Sequence, residues 1–232
     1  MSVGGLAVTP SRASQIVSEL ADIKRSCGLA ENAEVKWSRC KKRRKNAHVR
    51  FVHYLFDAIG NGHLHFHVRF SPFKNYDHSV SGKRKETDTI SKAFYQLILH
   101  RPGRYYGNNR RLLVRPDDGE CTAYLPSIID GLNSDICETF GHAVRPIADI
   151  APRNSKKEPM LQLLDVTLGA LTAVRNGNHE NGTLSDHKVE VVKAALDLGR
   201  IRDIEKSDPI ERRDFNVWNV VPKWTKGAIP VR

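Results

Sequence analysis

The stretch Pro159-Met160-Leu161-Gln162-Leu163-Leu164-Asp165-Val166-Thr167-Leu168-Gly169-Ala170-Leu171-Thr172-Ala173-Val174 is the most apolar run of the chain. It is long enough for several helical turns, and Pro159 suits a first helical position, where a missing N–H is no loss. Apolar side chains fall on almost every side, so the helix is expected to be buried rather than amphipathic. Gln162, Asp165 and Gly169 are spaced one turn apart and share a face. An ionised carboxylate in such a helix is costly unless a cation or hydrogen-bond donors meet it. Asp165 therefore has two readings: a salt bridge to one of the many Arg or Lys residues, or a metal ligand or catalytic acid.

Working outward, helices and strands alternate over most of the length. Ser2 to Val8 reads as a short strand, and Thr9-Pro10 caps a helix that Gly28 ends. Ala33-Glu34-Val35-Lys36-Trp37-Ser38 is extended, with Glu34 and Lys36 pointing the same way. The densest charge run follows directly, Arg39-Cys40-Lys41-Lys42-Arg43-Arg44-Lys45. It is either a solvated loop or helix start, or a patch that contacts phosphates. Val52, Leu55, Phe56 and Ile59 then mark a helix closed by Gly60-Asn61-Gly62. His63 to Phe70 alternates strictly, as a strand does. It sets His63, His65 and His67 on one face, and H-x-H on a strand can bind a metal because two imidazoles project together.

Ser71 to Lys85 reads as a long polar loop, and Thr89 to His100 as a helix. Arg110 to Arg115 is a strand that Pro116-Asp117-Asp118-Gly119 turns. An Asp pair there is either turn chemistry or a ligand-binding carboxylate site at a strand end. Tyr124 to Asn133 reads as a helix, and Ile136 to Ile150 as one or two strands. Ser185 to Leu198 is a further helix, and Asp214 to Val220 alternates as a strand. These elements make the class α/β.

The totals constrain the partners. In 232 residues, 37 Lys and Arg outweigh 26 Asp and Glu, for a formal charge of +11. That balance favours an anionic partner, nucleic acid before an acidic membrane surface. No apolar run is long and clean enough to span a bilayer. Cys27, Cys40, Cys121 and Cys137 are scattered without a C-x-x-C, and read as reduced cysteines of a cytoplasmic protein.

Four segments together resemble one family: Gly4-Gly5-Leu6-Ala7-Val8; Glu34-Val35-Lys36-Trp37-Ser38; Ser155-Lys156 with Leu161 to Ala170; and Phe215-Asn216-Val217-Trp218. In order and spacing they are similar to the domain of unknown function 3800 family, over nearly the whole chain. The resemblance implies a ribonuclease H-like fold, a mixed sheet flanked by helices, as one domain over 1–200. Residues 201–232 would then be a C-terminal tail whose short strand packs on that domain. It also implies a metal-dependent nuclease. The matching positions are Glu34, Asp117 or Asp118, and Asp165 as ligands of Mg²⁺ or Mn²⁺, with Lys36 beside them. The basic positions Arg39, Lys41, Lys42, Arg43, Arg44 and Lys45 would hold the nucleic-acid backbone, RNA or DNA, without reading sequence.

One departure stands out. Family members begin with a strand ending in Asp-Glu-Ser, whereas this chain starts Met1-Ser2-Val3-Gly4-Gly5. Either the start given lies downstream of the true start, or this member lost part of the site. Without that central strand, exposed backbone edges would invite aggregation or pairing with another chain, so either lower solubility or a homo-oligomer is expected. Three functions compete: a metal-dependent nuclease; a catalytically impaired nucleic-acid-binding or interaction protein on the same fold; and a metalloenzyme using the three histidines.

Overall fold

The computed structural model describes residues 1–72 and 86–221. The expected loop at Ser71 to Lys85 therefore lies almost wholly outside the described residues, as does the end of the tail. In chain order the regular elements begin with β1 (Ser2–Val8), α1 (Pro10–Ser26), α2 (Lys45–Gly60), β2 (Leu64–Phe70) and α3 (Glu86–Ile98). A π-helical turn over Leu99–Gly103 leads into the single turn α4 (Arg104–Tyr106) and then β3 (Leu112–Val114). The chain closes with α5 (Ile129–Phe140), β4 (Ile147–Ile150), α6 (Pro159–Arg175), α7 (Asp186–Gly199) and β5 (Phe215–Asn219).

The strands divide into two sheets where one was expected. Three strands take the order β1-β2-β5, and β3 pairs with β4. The larger sheet is mixed. Met1 and Ser71 exchange both backbone bonds, the signature of an antiparallel pair. On the other side of β2, Phe66 N–H donates to Asp214 and Val220 N–H donates to Phe70, a rising register that makes β5 parallel. β3 and β4 are also parallel, matching Leu112 to Ile147 and Val114 to Ile150. Their connection contains α5, the kind of crossover a parallel pair requires.

The chain forms two compact units. The first comprises Met1–Gly4, His67–Arg153 and Trp218–Arg232. Its core gathers Ile98, Leu99, Leu125, Leu132, Ile136, Ile147 and Ile150, with a smaller cluster of Val3, Ala93 and Leu97. The Asn133 amide of α5 is buried there. Its Nδ2 donates to the Ile147 carbonyl at 2.9 Å and its Oδ1 accepts from the Ile147 N–H at 2.8 Å, which satisfies the sheet edge from a helix.

In this unit one expectation is narrowed and another corrected. The segment from Ile136 holds one strand only, because Ile136 to Phe140 continues α5. Gly141, at φ 68, supplies the left-handed residue that ends the helix. The helix expected at Tyr124 starts instead as a 3₁₀ turn over Leu125–Ile128, and α5 proper begins at Ile129.

The second unit comprises Gly5–Phe66 and Asn154–Val217. Here α2, α6 and α7 pack on one another, and α1 packs on α2 and α6. Gly199 lets α7 come close to α2, since a Cβ there would lie 2.9 Å from the Phe56 ring. Leu163, Val166, Ala170 and Leu171 of α6 are fully buried. That agrees with a helix apolar on almost every side. Arg175 in its last turn complements the negative end of the helix dipole.

Among the described residues no helix is long and apolar enough to cross a membrane. All four cysteines are free thiols.

Candidate nucleic-acid interface

The shared face of α6 holds the segment that carries Glu34. Gln162 Oε1 accepts the Val35 N–H at 3.2 Å, and its Nε2 donates to the carbonyls of Ser155 and Lys156. One turn on, Asp165 Oδ2 accepts the Trp37 N–H at 2.7 Å. A further turn on, Gly169 leaves room for the indole, because a Cβ there would lie 2.2 Å from Trp37 Cγ. The helix thus meets an unladdered extended segment with an amide, a carboxylate and a gap. Each supplies what a chain outside any sheet needs: partners for its N–H groups and space for its largest side chain.

Glu34 is buried, and its side chain is only 5% exposed. Arg39 Nη1 lies 2.9 Å from its Oε2, and Lys36 Nζ lies 3.8 Å from its Oε1. The Arg39 contact is an ion pair only, since Oε2 accepts no hydrogen bond. The expectation that Glu34 and Lys36 project together is met, and both sit on the segment that Asp165 anchors.

The basic run is two 3₁₀ turns, Trp37–Arg39 and Lys42–Arg44, leading into the first turn of α2. It is pinned from beneath. Cys40 is buried, and burial pushes its thiol up to about 11. The His48 ring is fully buried, with Nδ1 2.9 Å from the Arg44 carbonyl and Nε2 3.0 Å from the Lys36 carbonyl. From α7, His187 Nε2 lies 3.1 Å from the Cys40 carbonyl, Lys188 sits 4.8 Å over the Trp37 ring, and Glu190 pairs with Lys45 at 2.7 Å. Lys41, Lys42 and Arg43 are exposed and Arg44 half-buried, and none of the four has an ion-pair partner among the described residues. No acidic residue occupies the first turn of α2, so the helix dipole adds to their positive field.

Asp117 and Asp118 belong to the first unit, whereas Glu34 and Asp165 belong to the second, so neither unit by itself contains the whole predicted acid set. The Asp pair does turn work: Asp117 bridges Arg153 in parallel register, Asp118 N–H donates to the Arg153 carbonyl, and Thr122 Oγ1 donates to the Asp117 carbonyl at 2.6 Å. Both side chains are exposed.

A hard cation asks for several oxygen ligands. Glu34 is flanked by two cations and Asp165 Oδ2 is taken by a backbone N–H. Among the described residues no group of three His, Cys, Asp or Glu could hold a metal ion. Within the second unit, Glu34 and Asp165 alone offer fewer oxygen ligands than Mg²⁺ or Mn²⁺ takes.

The histidine face also differs from the sequence reading. His67 is buried and lies 5.3 Å and 6.3 Å from the rings of Tyr105 and Tyr106. Leu64, Phe66, Val68 and Phe70 are buried and His65 and Arg69 half-buried, as the alternation predicts, but His67 on the polar face is buried as well. His48 and Lys188 were not foreseen. A histidine four residues after an arginine at a helix start was the one available signal for His48. Nothing local marked Lys188, whose partner is about 150 residues away.

No family model, curated protein or solved structure matches this chain. The resemblance to the domain of unknown function 3800 family rests on the quoted segments alone.

Proposed function

We propose that this protein binds nucleic acid through its phosphates, and that Glu34 and Asp165 position the cationic segment that does so. The observation that carries the reading is the run Lys41 to Arg44. Four cations without ion-pair partners among the described residues stand at the positive end of a 16-residue helix, on a segment pinned by His48, Cys40 and Trp37. A helix N-terminus preceded by such charges favours phosphate oxygens, and backbone contacts of this kind carry no sequence information. The Glu34 carboxylate draws Lys36 and Arg39 together. Without it the two would repel, at a spacing where unit charges still matter near a protein surface.

The second reading is a metal-dependent nuclease on a ribonuclease H-like fold. It is favoured by one observation: a buried Glu34 oxygen that accepts no hydrogen bond, on the segment that Asp165 anchors.

Two variants separate the readings. Replacing Lys41, Lys42, Arg43 and Arg44 with Ala should flatten the log–log dependence of affinity on salt by about 0.7 to 0.9 for each phosphate no longer neutralised. Glu34→Gln should weaken binding, because Lys36 and Arg39 lose the carboxylate that holds them together. An unchanged salt slope would refute the binding surface. Mg²⁺- or Mn²⁺-dependent cleavage of single-stranded or duplex RNA or DNA, abolished by both Glu34→Gln and Asp165→Asn, would establish the nuclease instead.

A further inference from the structure

The histidine beneath the basic run has a chemistry that its distances impose. His48 stands in the first turn of α2, and its ring is fully buried. Nδ1 lies 2.9 Å from the Arg44 carbonyl and Nε2 lies 3.0 Å from the Lys36 carbonyl. Lys36 comes directly before the first 3₁₀ turn and Arg44 directly before α2, so one ring ties both ends of the cationic segment.

A carbonyl oxygen can only accept a hydrogen bond. A neutral imidazole donates through one nitrogen and keeps a lone pair on the other, whereas an imidazolium donates through both. With the neutral ring, one of the two carbonyls faces a lone pair at hydrogen-bond distance, too close for a water to stand between them. A buried acceptor left without its donor carries a desolvation cost. Only the protonated ring satisfies both ends of the segment.

Charge opposes that proton. Lys36, Arg39, Arg44 and Lys45 lie on the same stretch of chain, beside the positive end of α2. From α7 come Lys188, over the Trp37 ring, and His187, at the Cys40 carbonyl, and α1 adds the buried Lys24. The carboxylates on the surrounding elements are engaged: Glu34 with Arg39, Asp165 with the Trp37 N–H, Glu190 with Lys45, and Glu19 with Tyr54. Cys40 adds no negative charge, because burial pushes its thiol up to about 11. Two carbonyls thus favour the imidazolium, while burial and surrounding cations disfavour it. Phosphates arriving on Lys41, Lys42, Arg43 and Arg44 remove the second objection. Linkage requires the converse, that a proton on His48 strengthens phosphate binding by the same factor. The structural route is preorganisation, since a segment fixed at both ends loses less freedom when it binds.

We propose that His48 is a proton-operated latch on the phosphate-binding segment. Phosphates on Lys41 to Arg44 draw one proton from solvent onto its ring, and the imidazolium then donates to the Lys36 and Arg44 carbonyls together. This rests on the nucleic-acid reading above and adds to it that binding takes up a proton, so affinity rises as pH falls through the range in which imidazole changes charge, about pH 8 to 5.

The test uses the full chain and single-stranded oligothymidylate about 15 nucleotides long, the upper end of the span that single-strand sites cover. The strand is made without terminal phosphates, and thymine does not titrate near neutral pH, so a change with pH belongs to the protein. Affinity should rise about fivefold on going from about pH 7.5 to about pH 6, the low end of coupling between two sites. Calorimetry in buffers of different ionisation heat should register proton uptake on binding. Nitrogen-15 spectra should show the His48 ring gaining its second N–H as the strand binds. His48→Gln should abolish both the pH dependence and the uptake, whereas His53→Gln, at an exposed position of the same helix, should keep them. If His48→Gln does not fold, the spectra of the unaltered chain decide. Binding whose salt slope depends on Lys41 to Arg44 but which takes up no proton, or leaves the His48 ring with one N–H, overturns the latch and leaves the binding surface standing. Uptake that survives His48→Gln, or that His187→Gln removes, also overturns it. No binding at either pH refutes the nucleic-acid reading and the latch together.

Discussion

Replacing Gly169 with Ala tests whether α6 exists to hold the Glu34–Trp37 segment. In an open helix this change is stabilising by about 1 kcal/mol, because Gly is the poorer helix former. Here the added methyl would lie 2.2 Å from Trp37 Cγ and 2.6 Å from both Cβ and Cδ1. The Trp37 Cβ is fixed by its backbone, so no change of rotamer clears it, and the Trp37 N–H is tied to Asp165 at 2.7 Å. Relief must come from moving the backbone of the segment. Overpacking of that kind costs about 1–3 kcal/mol. Set against the helical gain, the expected net loss is about 1–2 kcal/mol. Asp165→Asn should cost about 1.5–3 kcal/mol, the range for a hydrogen bond to a charged group. Both changes release the same segment, so the double variant should lose less than the sum. Urea unfolding followed by tryptophan fluorescence measures all three. A Gly169→Ala protein as stable as the parent, or more stable, would refute the close approach and with it the clamp.

Asn133→Ala should destabilise the first unit by about 2–4 kcal/mol, because it strands the buried N–H and carbonyl of Ile147; hydrogen exchange at Ile147 should accelerate, and unchanged protection would contradict the clamp. Acid should destabilise the fold through His65 and His100. Both are held below the ordinary value of 6.5, chiefly by burial, so the unfolded chain takes up protons first and stability falls as pH drops through about 6.5 toward the folded value. Denaturation at pH 7.5 and 5.5 should show that loss, and His100→Gln should reduce it; an unaltered slope would remove His100 from the account. The strand β1, Ser2-Val3-Gly4-Gly5-Leu6-Ala7-Val8, is an outer strand of its sheet among the described residues and carries neither charge nor proline. Edges of that composition invite pairing, so sedimentation should show concentration-dependent self-association that Ala7→Lys reduces; a monomer at all concentrations would exclude it.

What could be read from the sequence was local. The span of β1, the burial of α6, the shared face of Gln162, Asp165 and Gly169, and the joint projection of Glu34 and Lys36 all follow from periods of 3.6 and 2 along the chain. At Asp117-Asp118 the turn was legible, but its backbone pairing with Arg153 was not. Partners across the chain were not legible. Periodicity showed that Asp165 needed a donor but not that the donor was the backbone of Trp37, 128 residues away. The histidine alternation marked the less buried face of β2, and only packing showed that His67 on that face is covered. The approach of Arg69 and Arg101 to one indole ring depends on where Trp218 arrives from the far end of the chain. Hydrophobic patterning determines which residues are buried. Which charges then face one another is decided by tertiary closure, since no local period connects residues that distant.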